Sequence, residues 1–180
     1  MVVPKVSSER REYIPVGFLD SGTVVNDLLF MVPNADLFLF GIIQSRLHMA
    51  WMRLVSGRMK SDYRYSKDLS YNTFPWPDRS TLKPKQVQAV EAAAQAVLKA
   101  REKASGSTLA QMYDPNLMPA ELRKAHNQLD KAVEALYGLK AGATEVQCVA
   151  RLLELYQDLV PTLESQTKTK SRGRKKTAKS

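Results

Sequence analysis

Two prolines flank Trp76 in the run Phe74-Pro75-Trp76-Pro77, and this run constrains the fold more than any other part of the chain. Proline lacks an amide hydrogen and disfavours helix in the residue before it, so no helix passes through positions 74–77. The segments on either side must therefore be separate elements that meet at this crossing.

After the crossing, apolar residues recur at helical spacing. Pro84 at a first-turn position opens a helix with the stripe Val87, Val90, Ala94, Val97 and Leu98, ending near Ser105-Gly106. Pro119 opens a second, with Leu122, Ala125, Leu129, Val133 and Leu136 on one face and Gly138 as its stop. Thr144 and Gln147 have capping-box spacing ahead of a third stripe, Val146, Val149, Leu152, Leu153, Tyr156 and Val160, before Pro161.

Before the crossing the pattern differs. Tyr13 to Leu19 is β-rich, Asp20-Ser21-Gly22 has turn chemistry, and a second run extends from Thr23-Val24-Val25 through Leu28 to Val32, which predicts a β-hairpin. An isolated hairpin is marginal in water, so it needs further sheet partners or a helical cover. From Ala35 the pattern becomes helical: Leu37, Phe40, Gly41 and Gln44 share a face, then Leu47, Trp51, Leu54 and Val55, with Ser45 placed to cap the second part. One bent helix or two short ones are expected before Gly57. Residues 57–82 carry five aromatics and predict an ordered loop or short strands. The fold class is α+β, predominantly α: a short amino-terminal hairpin or sheet fragment followed by a bundle-like helical layer.

The chain carries 27 Lys plus Arg against 18 Asp plus Glu, a net charge of +9. Seven of the basic residues, Lys168, Lys170, Arg172, Arg174, Lys175, Lys176 and Lys179, crowd the last thirteen positions, so 9 − 7 leaves only +2 for the rest. Residues 163–180 thus read as a disordered basic tail, able to touch phosphates without regard to sequence. The single cysteine, Cys148, sits at an apolar helical position, cannot form an intramolecular disulfide and fits a reducing cytoplasm. No apolar stretch has signal-peptide or membrane-spanning form, the longest cluster being 37–43.

The segment from Gly57 to Asp68 alternates ionic, small polar and aromatic residues. Lys60 offers a donor to guanine O6 and N7, and Asp62 an acceptor to cytosine N4. Two apart, they would face the same way in extended chain, with Arg64 beside them. Arg46, Arg53, Arg58 and Lys67 flank the segment as candidate phosphate contacts. A salt-bridged surface loop is the competing reading.

Catalytic signatures are missing from the sequence. Amino-methyltransferases use an Asp/Asn/Ser-Pro-Pro-aromatic motif, whereas Tyr71-Asn72-Thr73-Phe74-Pro75-Trp76-Pro77 has no adjoining prolines and reads as a packed crossing. There is no glycine-rich strand-to-helix turn for a nucleotide or S-adenosylmethionine, no His/Cys metal cluster and no nuclease Pro-Asp with Glu-x-Lys. His48 and His126 sit among apolar neighbours and are expected as packing residues. No catalytic or metal-ligating residue is assigned.

Several phrases carry a family resemblance: Ser8 to Leu19 (SERREYIPVGFL), His48 to Arg53 (HMAWMR), Gly57 to Ser66 (GRMKSDYRYS) and Tyr71 to Pro77 (YNTFPWP). It continues through Tyr113-Asp114-Pro115, Met118-Pro119, Leu122 to His126 and Leu136-Tyr137-Gly138. Over roughly Ser8 to Val160 the chain resembles the carboxy-terminal part of MmeI-like DNA methyltransferases. The resemblance implies that 1–82 is the end of a target-recognition domain, 83–162 a helical carboxy-terminal domain and 163–180 a tail. It implies double-stranded DNA and the parent chain's catalytic methyltransferase domain as partners. It also implies that S-adenosylmethionine serves the adenine-N6-specific parent rather than this segment, and leaves open a nuclease in the parent. Family members read base pairs with paired side chains, and Lys60, Asp62 and Arg64 match the loop that carries them. Lys5 with Asp27 is a second candidate pair by the same logic. A helical module that only packs on the parent's catalytic domain, touching no DNA, is the alternative.

Overall fold

The computed structural model describes residues 1–20, 22–104 and 106–159, so the basic tail and Val160 lie outside the described residues. The helices fall where the caps and prolines put them. Asp36 accepts from the Leu39 amide (2.8 Å) to start α1 (Leu37–Ile43), and Ser45 accepts from the His48 amide (3.3 Å) to start α2 (Arg46–Val55). The long helices α3 (Pro84–Lys103) and α5 (Ala120–Leu136) open at the expected prolines. Between them lies an unanticipated single turn, α4 (Leu109–Met112), held by a Thr108/Gln111 capping box. A last helix, α6 (145–159), begins at the reciprocal pair Thr144 and Gln147. Its buried side is Cys148 and Leu152, with Val149, Leu155 and Tyr156 beside them, whereas Val146 is 78% exposed, so the expected stripe is rotated away from Val146 and Leu153.

The strands depart further from expectation. β1 (Val2–Pro4) pairs antiparallel with β3 (Leu29–Met31), while β2 (Val6–Ser7), β4 (Gly57–Met59) and β5 (Asp62–Arg64) form a second sheet in the order β2-β5-β4. The predicted hairpin of 13–19 with 23–32 does not form; 13–19 contributes only a bridge from Gly17 to Val2. The reason lies in where its polar backbone is satisfied. Tyr13, Ile14 and Val16 are fully buried, and the Ile14 and Val16 carbonyls accept from the Gln44 and Arg101 side chains (2.7 Å each) instead of from a strand. Lys5, between β1 and β2, joins the two sheets: its amide donates to Leu28 O and its carbonyl accepts from the Tyr65 amide, both at 2.9 Å.

One core serves both halves of the chain. α1 crosses α3 and α5 at Gly41, where an added Cβ would lie 2.8 Å from Val90 Cγ1 and 3.3 Å from both Ala94 Cβ and Leu129 Cδ1. Phe40, Ile43, Leu47 and Trp51 pack into the same cluster as Val97, Leu122, Leu129 and Val133. The crossing at 74–77 is packed as its aromatics suggested: Phe74 meets the His48 and Trp76 rings edge-on (centroids 4.6 and 4.9 Å), and Tyr137 Oη donates to Pro75 O (3.1 Å).

A buried polar network runs through this core. Arg101 donates to Val16 O, Gln44 Oε1 and Tyr113 Oη; Tyr113 Oη is 2.7 Å from His126 Nε2; Tyr13 stacks on the His126 ring at 4.0 Å and donates to Asp130. Buried polar groups cost little only when partnered, so these bonds fix how segment 13–17, the α1–α2 junction, α3 and α5 sit together.

Candidate nucleic-acid interface

β4 and β5 are joined by a two-residue turn, Lys60-Ser61, since Met59 pairs with Asp62, Arg58 with Tyr63 and Gly57 with Arg64. Side chains alternate along a strand, and directly opposed residues share a face. Arg58, Tyr63 and Ser7 therefore lie on the inner face of β2-β5-β4, and Met59, Asp62, Gly57, Arg64 and Val6 on the outer one. Burial agrees: Tyr63 and Ser7 are buried and Arg64 is exposed.

Asp62 and Arg64 share a face, as alternation requires. Lys60 does not join them by alternation: it occupies the turn with φ +57°, a left-handed conformation unusual for a side chain other than glycine or asparagine. It stands instead at the hairpin tip, two residues before Asp62. Among the described residues, the side chains of Lys60, Asp62 and Arg64 make no hydrogen bond or ion pair, which sets them apart from a salt-bridged surface loop.

A groove of about 520 Å³ adjoins the outer face, lined by Lys5, Phe30, Arg64 and Lys67 among others. The Lys5 ammonium sits 5.2 Å from the Phe30 ring centroid, and Lys67 is exposed, 3.7 Å from Asp68. Asp27 is exposed in the turn before β3, one residue from the Leu28 that receives the Lys5 amide. Neither Lys5 nor Asp27 belongs to a strand.

The candidate phosphate contacts divide. Arg46 is turned inward, its guanidinium 3.1 Å from the buried Asp130, whose carboxyl also accepts from the Arg46 amide and from Tyr13. Burial pushes the Asp130 pKa up, against the pull of Arg46 and these donors. Arg53 ties α2 to Glu145 of α6 (2.9 Å) and to the Arg11 and Glu12 carbonyls. Arg58 lies on the inner face, stacked 4.2 Å over Tyr63. Only Lys67 of this set borders the outer groove. Sequence reasoning missed the hairpin itself because Met59-Lys60-Ser61-Asp62 lacks the Asn-Gly or Asp-Gly signature of a two-residue turn. It missed Phe30 and the groove because nothing local links positions 5, 30 and 64.

His48 and His126 are fully buried, Nε2 of each within reach of a tyrosine hydroxyl (Tyr65, 2.9 Å; Tyr113, 2.7 Å). Burial lowers both pKa values to about 3, with the Arg101 charge adding to the effect at His126. They are packing residues, as expected, and so is the buried Cys148. Among the described residues there is no group of His, Cys, Asp and Glu that could hold a metal and no helix long and apolar enough to cross a membrane.

A small sheet that offers unpaired acidic and basic side chains on its outer face, fixed to a helical layer through one shared core, defines a class: a sheet element mounted on a helical support. Comparison with known proteins supplies the family. Residues 1–78 match the family described as MmeI, target recognition domain, and residues 82–164 that described as MmeI, C-terminal domain. The chain is 43% identical over 159 residues to DNA methyltransferase A of Bacillus subtilis (strain 168), covering 88% of this chain and 18% of that protein. It aligns with a solved structure of the type IIL restriction-modification enzyme MmeI in complex with DNA at a TM-score of 0.84 and 45% identity, covering 89% of this chain and 21% of that one. The chain belongs to the MmeI family, as target-recognition sequence followed by the C-terminal domain. It spans about a fifth of the length of these relatives.

Proposed function

We propose that this chain reads DNA sequence on behalf of an S-adenosylmethionine-dependent adenine-N6 DNA methyltransferase and takes no part in methyl transfer. The observation that carries this reading is the outer face of β2-β5-β4: Asp62 and Arg64 side by side, Lys60 at the hairpin tip, none of them engaged with other described residues. Set into the major groove, Lys60 or Arg64 donates to guanine O6 and N7, and Asp62 accepts from cytosine N4, so the set can specify a G·C pair. Lys5 and Asp27 are the second candidate pair in this reading, Asp27 being the neighbour of Leu28, whose carbonyl accepts from the Lys5 amide. Lys67 along the groove supplies phosphate contact and register without sequence information.

The helical half acts as a brace. Arg101 of α3 and Asp130 of α5 hold segment 13–17 and the α1–α2 junction of the amino-terminal half through hydrogen bonds to Val16 O, Gln44 Oε1 and the Arg46 amide. In this reading S-adenosylmethionine serves the parent methyltransferase, which the similarity to DNA methyltransferase A supports.

The test is exchange of the two charges, Lys60→Glu with Asp62→Lys, and recovery of bound sequences from a pool of randomised duplexes. A bidentate contact discriminates by about 1–3 kcal/mol, so preference at one base pair should change by about tenfold or more. The same preferred sequence before and after the exchange would refute the reading.

A further inference from the structure

We propose that Arg58 is a positioning residue for the Lys60-Ser61 turn and reaches no phosphate: its guanidinium clamps the tip in its left-handed conformation from the inner face of the sheet. This rests on the reading of the hairpin as the sequence-reading element. Arg58 and Tyr63 are directly opposed across β4 and β5, and the guanidinium carbon sits over the phenol ring, 4.2 Å from its centroid. The same group donates to the carbonyl of Ser61, within the turn, at 2.8 Å, and lies 3.5 Å from the Glu9 carboxylate. Three contacts thus converge on one side chain, two of them within the hairpin and one on the segment that follows β2.

The turn needs such a clamp. Lys60 at φ +57° pays the steric cost of a Cβ in the left-handed region, about 1–2 kcal/mol, and a turn lacking glycine or asparagine does not hold that conformation by itself. Tyr63 is buried, with Arg53 5.8 Å from its ring, so the platform on which Arg58 lies is anchored to α2. Arg58 occupies the face opposite Asp62 and Arg64, which separates its task from theirs. Lysine could keep the charge, but not the planar stack together with the carbonyl bond.

The experiment compares Arg58→Ala, Arg58→Lys and the charge-exchanged variant of Lys60 and Asp62 in the 180-residue chain, using randomised duplexes for sequence preference and the salt dependence of binding for phosphate contacts. The expected result is that both Arg58 variants lose preference at the base pair read by the hairpin, by about tenfold, while the slope of log K against log salt stays as in the unsubstituted chain. A phosphate contact would instead lower the slope by about one for Arg58→Ala, spare it in Arg58→Lys and leave preference unchanged, and would overturn the proposal. If charge exchange alters preference and the Arg58 variants do not, the clamp is wrong and the reading hairpin stands. If neither alters it, both fail.

Discussion

Acidification from pH 7 to pH 5 should remove about 4 kcal/mol of folding stability, and two residues account for it. The chain has only two histidines, both fully buried and neutral, with pKa values lowered to about 3. In the unfolded chain each imidazole takes up a proton below about 6.5. Between about 6.5 and 3 the unfolded state therefore binds more protons than the folded state, and stability falls as pH falls. At pH 5 the loss is set by the unfolded value alone: 1.5 units below 6.5 at about 1.4 kcal/mol per unit gives about 2 kcal/mol for each histidine. Any folded-state value under about 4 leaves that result unchanged. Asp130 works in the opposite sense, since its raised pKa lets the folded state bind protons before the unfolded one, a gain felt as pH falls through the folded value. Domains of this size are stable by about 5–15 kcal/mol, so the loss is a large part of the whole. Urea unfolding at the two pH values measures it, and the imidazole Cε1–H resonances should stay fixed from pH 8 to 5 in the folded protein. A resonance titrating near 6.5, or a stability change under about 1 kcal/mol, would refute the reasoning.

Gly41→Ala should destabilise by about 1–2 kcal/mol, since the new methyl meets Val90 within the packed α1–α3 crossing and the gain in helix propensity is smaller than the strain; thermal unfolding checks it, and a raised melting temperature would argue that the helices separate freely. Lys60→Gly should leave the melting temperature equal or raise it by a few degrees, about 2–4 °C for each kcal/mol of relieved strain, while erasing the sequence preference attributed to the hairpin.

The division between what was legible and what was not follows sequence distance. Helix starts at Ser45, Pro84, Pro119 and Thr144, and the packed crossing at Phe74 to Pro77, were readable because capping, proline geometry and apolar spacing act over four residues or fewer. Lys60, Asp62 and Arg64 are candidates from sequence because charge type and spacing state what a side chain can donate or accept, and the charge exchange tests them. Tertiary structure alone decided which strands pair and which arginines are free. Residues 13–19 have strand composition, yet Gln44 and Arg101 take their carbonyls; Arg46 has the look of a phosphate contact, yet meets Asp130 84 positions away. A guanidinium carries the same charge wherever it stands, and only the partner brought to it by the fold determines whether that charge faces a core carboxylate, an aromatic ring or the groove.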